Sequence, residues 1–478
     1  MQTGSATSAQ ERGQRQASGR GRRRLAAVLA GLALAAGAAA MTVDQADAAK
    51  AGQHKGKAKN VIVMISDGMG YNQMMAGDYF QCGATGTQKY QQFPVRVGMS
   101  TYSCYGSYDP LQAWGLFDYV NNAPTDSASA ATAMSTGVKT YDAGIGVDVN
   151  QNALYHVAQR AERLRKSTGV VSTVQWSHAT PAGFVAHNVS RNDYEGLALE
   201  MINDSATDVI MGAGHPLYDD SGAPVAVPNS YKYVGGAATW DALVDGTAGG
   251  DADGDGDADP WKLIQSRFQF ERLARMRKTP ARVCGTIRAA TTRQQSRAGD
   301  AQAAPYTVPM NANVPDLRTM TKGALNVLGN NRKGFFLMVE GGAVDWAGHA
   351  NQTGRLIEEQ VDFNQAVNAV VRWVERHSNW NETLVIVTAD HETGYLWGPG
   401  TGADASGNGT WAPLVDNGEG ASPDAQWNSG NHTNSLVPFF AKGPAARDFR
   451  AAARSIDPQR GRYLDNTAIA NVIFSAMR

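Results

Sequence analysis

Three apolar runs in this 478-residue chain end in carboxylates. Val61–Ile65 leads into Ser66-Asp67-Gly68, Phe335–Val339 into Glu340-Gly341-Gly342, and Leu384–Thr388 into Ala389-Asp390-His391. In an open α/β sheet, ligands bind in the crevice past the carboxyl ends of the strands. A carboxylate buried there is costly unless a cation or a donor offsets it, so several on one edge call for metal ions. A nucleophile candidate accompanies them. Pro124-Thr125-Asp126-Ser127 opens the Ala-rich stretch 128–135, which reads as a helix with Asp126 or Ser127 as N-cap and Gly137 at its end. A serine at a helix start sits in a positive field that favours a phosphate group or an ionised oxygen.

The elements that must position these residues follow from the pattern. Further strands are expected at 170–174, 209–211 and 437–441, with helices over 152–166 and 356–376 between them. Strands alternating with helices predict an α/β fold with a mostly parallel central sheet and helices on both faces. Two segments, 214–310 and 398–430, read as loop or crown insertions in a single catalytic domain over 60–478. Long polar insertions of this kind are usually functional. The second lies between His391 and His432, so it is expected over or beside the site.

Asp67, Thr125-Asp126-Ser127-Ala128-Ser129-Ala130, the spacing Glu340-(x)4-Asp345-(x)3-His349, Thr388-Ala389-Asp390-His391 and His432-Thr433 occur in one order along the chain. Together they resemble the bacterial alkaline phosphatase family. The resemblance implies hydrolysis of phosphate monoesters through a phosphoserine on Ser127. It implies two zinc ions, one held by Asp345, His349 and His432 and the other by Asp67, Asp390 and His391. Asp345 and His349 are four apart, so both face one way if a helix starts there. A magnesium would be held by Asp67, Thr180 and Glu340, an all-oxygen set suited to that ion. Arg191 matches the substrate arginine, whose fork offers two parallel donors to phosphoryl oxygens. The best-known enterobacterial members carry Asp and Lys near the phosphate site, where this chain has His178 and Trp346, a pair found in some marine and cold-adapted relatives. The family is usually homodimeric.

Neighbouring readings are a phosphodiesterase or phosphonate hydrolase of the same superfamily. A sulfatase is disfavoured, because Ser127 lacks the Cys/Ser-x-Pro-x-Arg setting. Asp251-x-Asp253-x-Asp255-Gly256-Asp257-x-Asp259 follows a calcium-loop spacing but has Lys262 where the bidentate Glu belongs; it reads as a structural calcium loop away from the chemistry or as a solvated acidic turn, and a secreted calcium-binding interaction protein would rest on it alone.

Composition bounds the rest. Hydrophobic residues make up 42% and charged residues 18%, as in a globular protein with a sizeable core. Arg22-Arg23-Arg24, the apolar run 25–40 and Ala46-Asp47-Ala48 read as an export signal over 1–48, its arginines pointing to the twin-arginine route, followed by a basic lead-in over 49–59. The apolar run is short for a membrane anchor. Cleavage after Ala48 leaves 37 basic and 41 acidic residues. That balance, without a basic stripe in the sequence, gives no sign of nucleic-acid specificity. Export permits a disulfide, and of the three cysteines Cys82 and Cys104 close the shorter loop, leaving Cys284 over.

Overall fold

The computed structural model describes residues 56–252 and 256–477. The signal segment 1–48, most of the lead-in, and Asp253 and Asp255 lie outside the described residues. Among the described residues, eleven strands form one sheet. In chain order they are β1 (Asn60–Ser66), β2 (Val95–Ser100), β3 (Ser167–Gln175), β4 (Val209–Ala213), β5 (Lys262–Ile264), β6 (Val283–Thr286), β7 (Phe335–Gly341), β8 (Thr383–Thr388), β9 (Val437–Lys442), β10 (Ser455–Asp457) and β11 (Gly461–Asp465). Their order across the sheet is β10-β11-β2-β9-β8-β1-β7-β3-β4-β6-β5.

The run from β8 to β5 is parallel throughout. β9 runs antiparallel to both β8 and β2. Every residue of β1, β7 and β8 is buried. Strands buried on both faces read as continuous apolar runs, which is why these three were visible in the sequence. β2, β5, β6, β10 and β11 are short or half-polar and carried no such signal.

The register places the chemistry. Ile65 pairs with Glu340 in β7 and with Thr388 in β8. The residues following these strands, Asp67, Gly342 and Asp390-His391, therefore leave the sheet side by side. The helix expected over 356–376 runs from Thr353 to His377 and packs along this central region. The helix expected from position 152 starts only at Val157, because His156 caps it: its Nδ1 accepts from the Gln159 N–H at 3.2 Å.

The expected Cys82–Cys104 bridge is not formed, and all three cysteines are free. Cys82 ends the helix Tyr71–Cys82, which packs on the Thr353–His377 helix. Cys104 is tied through its N–H to Thr140 O, on the segment beyond the Ser127 helix. Among the described residues, no helix is long and apolar enough to cross a membrane.

Candidate active site

Ser127 is the first residue of the helix Ser127–Thr136. Asp126 is its N-cap, accepting from the Ser129 N–H at 2.9 Å, and Gly137 closes the helix in a left-handed conformation (φ 79°) that an L side chain would strain. Asp126 also accepts from Arg191 Nη1 at 2.9 Å and from the Ala143 N–H at 3.1 Å. One carboxylate thus starts the helix and anchors the arginine. Burial acts to raise the Asp126 carboxyl, but the Arg191 guanidinium and the N–H donors hold it below the ordinary range. Ser127 is buried, and its Oγ lies 3.2 Å from His391 Nε2.

Around this hydroxyl the carboxylates and imidazoles fall into three clusters. In the first, His349 Nε2 and His432 Nε2 lie 3.0 Å apart, at 3.4 and 3.3 Å respectively from Asp345 Oδ1. The two outer nitrogens settle the protonation. His349 Nδ1 donates to Gly430 O at 2.7 Å, and His432 Nδ1 donates to Thr125 O at 2.8 Å. A carbonyl only accepts, so both rings carry the Nδ1 proton when neutral, and their Nε2 lone pairs point at each other and at a carboxylate. Three acceptors that close to one another need a positive charge between them, a proton on one ring or a metal ion in its place.

The second cluster is Asp67, Asp390 and His391, fully buried, with His391 Nε2 3.2 Å from Asp390 Oδ2 and 3.5 Å from Asp67 Oδ1. The His391 ring stacks on His432 with centroids 3.5 Å apart, so it also reaches the first cluster. Thr393 Oγ1 joins the two, donating to Asp345 Oδ1 at 2.5 Å and lying 3.2 Å from His391 Nδ1. The third cluster brings Asp67 to Glu340 and His178, with the buried Thr180 hydroxyl beside Glu340. No donor reaches either oxygen of Asp67 or Glu340 Oε1.

The electrostatics follow from crowding. Burial, with the negative charges of Asp390, Asp345 and Glu340, pushes the Asp67 carboxyl well up. Burial raises Glu340 to about 7, against the hydrogen bond from Ser172. Four buried carboxylates on one edge (Asp67, Glu340, Asp345 and Asp390) do not share it as anions without counter-charge. The residues present fit divalent metals. The first two clusters mix nitrogen and oxygen ligands in the manner of zinc, and the third is mainly oxygen.

His178 stands beside Asp67 and Glu340 but is turned onto Arg191. Its Nε2 accepts from Arg191 Nη2 at 3.1 Å, so neutral His178 carries its proton on Nδ1, which is buried without a partner. Burial and then the Arg191 charge hold His178 down at about 3, which keeps the ring neutral. Trp346 lies beside it, ring centroids 6.1 Å apart.

The site opens to solvent through a pocket of about 730 Å³ lined by Ser127, Arg191, His178, Trp346, His349 and His432, among others. Gln295 and Ser296 form part of its wall and were missed in the sequence. They belong to the first insertion, while the body of the second lies to the side: Gly420 N–H donates to Phe80 O, and only Gly430, at its end, touches a site histidine. The Gln295 segment is held by buried ion pairs to the long helix, Arg297 forking onto Glu358 at 2.8 and 2.9 Å and Arg293 meeting Asp362 at 2.9 Å. In the Asp-rich tract, Asp251 accepts from the Gly256 N–H and Asp259 from the Ala252 N–H, the bonds of a tight loop; Asp257 is engaged as well.

A family model described as "Alkaline phosphatase" matches residues 58–417. The chain belongs to the alkaline phosphatase family. Among curated members of the family it is 27% identical to alkaline phosphatase 4 of Bacillus subtilis over 93% of both chains. It is 29% identical to the Escherichia coli enzyme over 86% of both. Among solved structures, the cold-active alkaline phosphatase of a Shewanella species is 25% identical (TM-score 0.61), covering 88% of this chain and all of that one. A variant of the alkaline phosphatase from the Antarctic bacterium TAB5, a histidine replaced by Asp and Mg bound in the M3 site, is 26% identical (TM-score 0.59), covering 88% and 98%. The protein is thus a phosphatase of this family and fold. His432 lies beyond the matched residues, yet the fold returns it to His349 and His391.

Proposed function

We propose that this phosphatase hydrolyses phosphate monoesters through a phosphoserine on Ser127, in an exported enzyme that scavenges phosphate. The observation that carries the reading is the pair of Nε2 lone pairs of His349 and His432 facing Asp345 Oδ1, with His391, stacked on His432, 3.2 Å from the buried Ser127 hydroxyl. Asp345, His349 and His432 would hold one zinc, and Asp67, Asp390 and His391 the other. Asp67, Thr180 and Glu340 would hold a magnesium. Bound there, these ions would supply positive charge to the phosphoryl oxygens and to the entering and leaving oxygens.

The chain's own residues do the rest. Arg191, drawn taut between Asp126 and His178, keeps its fork at the pocket wall, where two N–H groups meet two phosphoryl oxygens. The Ser127 oxygen forms the bond to phosphorus as the ester oxygen leaves as an alcohol. Water then cleaves the phosphoserine, returning the hydroxyl and releasing phosphate.

Hydrolysis of p-nitrophenyl phosphate, set against bis(p-nitrophenyl) phosphate and phenylphosphonate, tests the substrate class. A preference for either of the latter would move the protein to a diesterase or phosphonate hydrolase.

Arg191→Ala is expected to lower kcat/KM by about one to three orders of magnitude, since the rest of the site still neutralises the phosphoryl group. Arg191→Lys is expected to recover little, because an ammonium cannot fork. A wild-type phosphate inhibition constant in Arg191→Ala would remove the residue from the phosphate site.

His178→Asp with Trp346→Lys is expected to tighten both magnesium and phosphate and to slow turnover where release limits it. The carboxylate would stand beside Asp67 and Glu340, as the TAB5 variant with Mg in its M3 site suggests. Equal magnesium and phosphate constants in the wild type and the double variant would refute this.

A further inference from the structure

The end of the sheet opposite the catalytic residues carries a second concave surface. A groove of about 640 Å³ runs between the C-terminal ends of the helices Arg267–Leu273, Leu317–Leu328 and Thr353–His377. Arg275, Arg277, Lys322, Arg372, Arg376 and His377 line it, and no carboxylate does. It sits by the start of β7: Trp373, on its floor, packs edge-on against Phe335, the first residue of that strand. Glu340 is near the strand's other end, about 16 Å away at ~3.3 Å per residue. The groove is therefore separate from the catalytic pocket.

The charges in it are unbalanced. All six cationic or titratable side chains are exposed, and among the described residues none of the six forms an ion pair. Two nearby acids are held elsewhere. Glu271 pairs with Arg267 at 2.9 Å, and Asp316 caps its helix through the Thr319 N–H. Glu375, exposed on the long helix, is not part of the lining.

Arg318 and Lys322 are four apart on one helix, as are Arg372 and Arg376 on its neighbour, and like charges at that spacing destabilise a helix. Burial against its neighbours, and then the repulsion of Arg318 joined by Arg372 and Arg275, holds the Lys322 ammonium below its ordinary value despite Asp316. A chain whose basic and acidic residues are nearly balanced as a whole (43 against 44) has gathered uncompensated cations on one concavity. That arrangement stores repulsion which an anion would relieve.

We propose that this groove binds a linear phosphate polymer through its backbone charge, tethering the enzyme to phosphate-bearing material rather than feeding the catalytic centre. Four of the six side chains are arginines, whose planar forks match phosphate oxygens. A concave track of separated cations suits an extended chain of phosphates, whereas a membrane surface would meet only its rim. Trp373 is half-buried and its ring is occupied by Phe335 and His377, so base stacking contributes little.

The test uses the purified metal-loaded protein, fluorescently labelled long-chain polyphosphate, and inorganic phosphate at a level that saturates the catalytic centre. Anisotropy is expected to report binding that weakens steeply with NaCl. In Lys322→Glu/Arg372→Glu/Arg376→Glu, the slope of log affinity against log salt should fall by about one per cation removed. Turnover of p-nitrophenyl phosphate should stay at the wild-type level, which also certifies the fold. Unchanged polyphosphate affinity in the triple variant overturns the proposal. So does binding to phosphatidylglycerol vesicles without binding to polyphosphate, or a clear preference for oligodeoxythymidylate of equal charge.

Discussion

Ser127→Ala is expected to lower kcat for p-nitrophenyl phosphate by at least about a thousandfold, the scale on which removal of a covalent nucleophile is felt. The side chain is small, buried and at the first position of a helix whose next residues are Ala, Ser and Ala, so alanine adds no strain. Its Oγ gives up only the 3.2 Å contact to His391 Nε2, a nitrogen that also faces Asp390 and Asp67. The variant should therefore keep the wild-type melting temperature and metal content while losing turnover. Quenching the wild type with acid during turnover of ³²P-labelled substrate should trap label on the chain, and the same quench of Ser127→Ala should trap none. Near-normal turnover in the variant, or equal trapped label, would reassign the nucleophile. Residual hydrolysis would come from direct attack of water and should show no burst.

What the sequence revealed and what it hid have physical reasons. The three strands that deliver Asp67, Glu340 and Asp390 are buried on both faces, so their apolar runs are unbroken and their polar ends stand out. The Ser127 helix was legible through Asp126 and Gly137, because capping is local chemistry. Gln295 and Ser296 had no such signal. They reach the pocket only because Arg297 and Arg293 dock on Glu358 and Asp362, 61 and 69 positions away in the chain, and nothing local marks those pairs. The role of His178 was half legible. Its nearness to Thr180 was plain, but the tautomer depends on Arg191 folding back onto it. The cysteine pairing failed because loop length says how costly closure is, not whether two side chains meet.

Removing the metals is expected to abolish turnover and to make the fold itself pH-sensitive. A site saturated at about a thousandfold its Kd stabilises the native state by about 4 kcal/mol, so exhaustive chelation should lower the melting temperature markedly. The chain left behind holds Asp67 and Glu340 with raised pKa values, Glu340 at about 7, because they are buried among like charges. A carboxyl whose folded pKa lies above its unfolded one contributes most when protonated, and that contribution fades as pH rises through the folded value. His432 acts in the same direction. Burial opposes its charge, but Asp345 holds it up at about 9, and its contribution also fades as pH rises. Asp345 and Asp390 are lowered, so their contribution is lost only in acid. His178 and His391 are lowered by burial and pull the other way below the ordinary histidine range, so the comparison belongs above it: the metal-free protein should melt at lower temperature at pH 8.5 than at pH 7. The loaded protein should not show that fall, because ions take the place of the protons. Elemental analysis of the loaded protein should give about two zinc and one magnesium per chain, following the mixed and oxygen-rich ligand sets. Full activity after chelation, with the metals shown to be gone, would end the metal reading. A metal-free melting temperature that rises between pH 7 and 8.5 would mean that the buried carboxylates are compensated by groups other than metal ions.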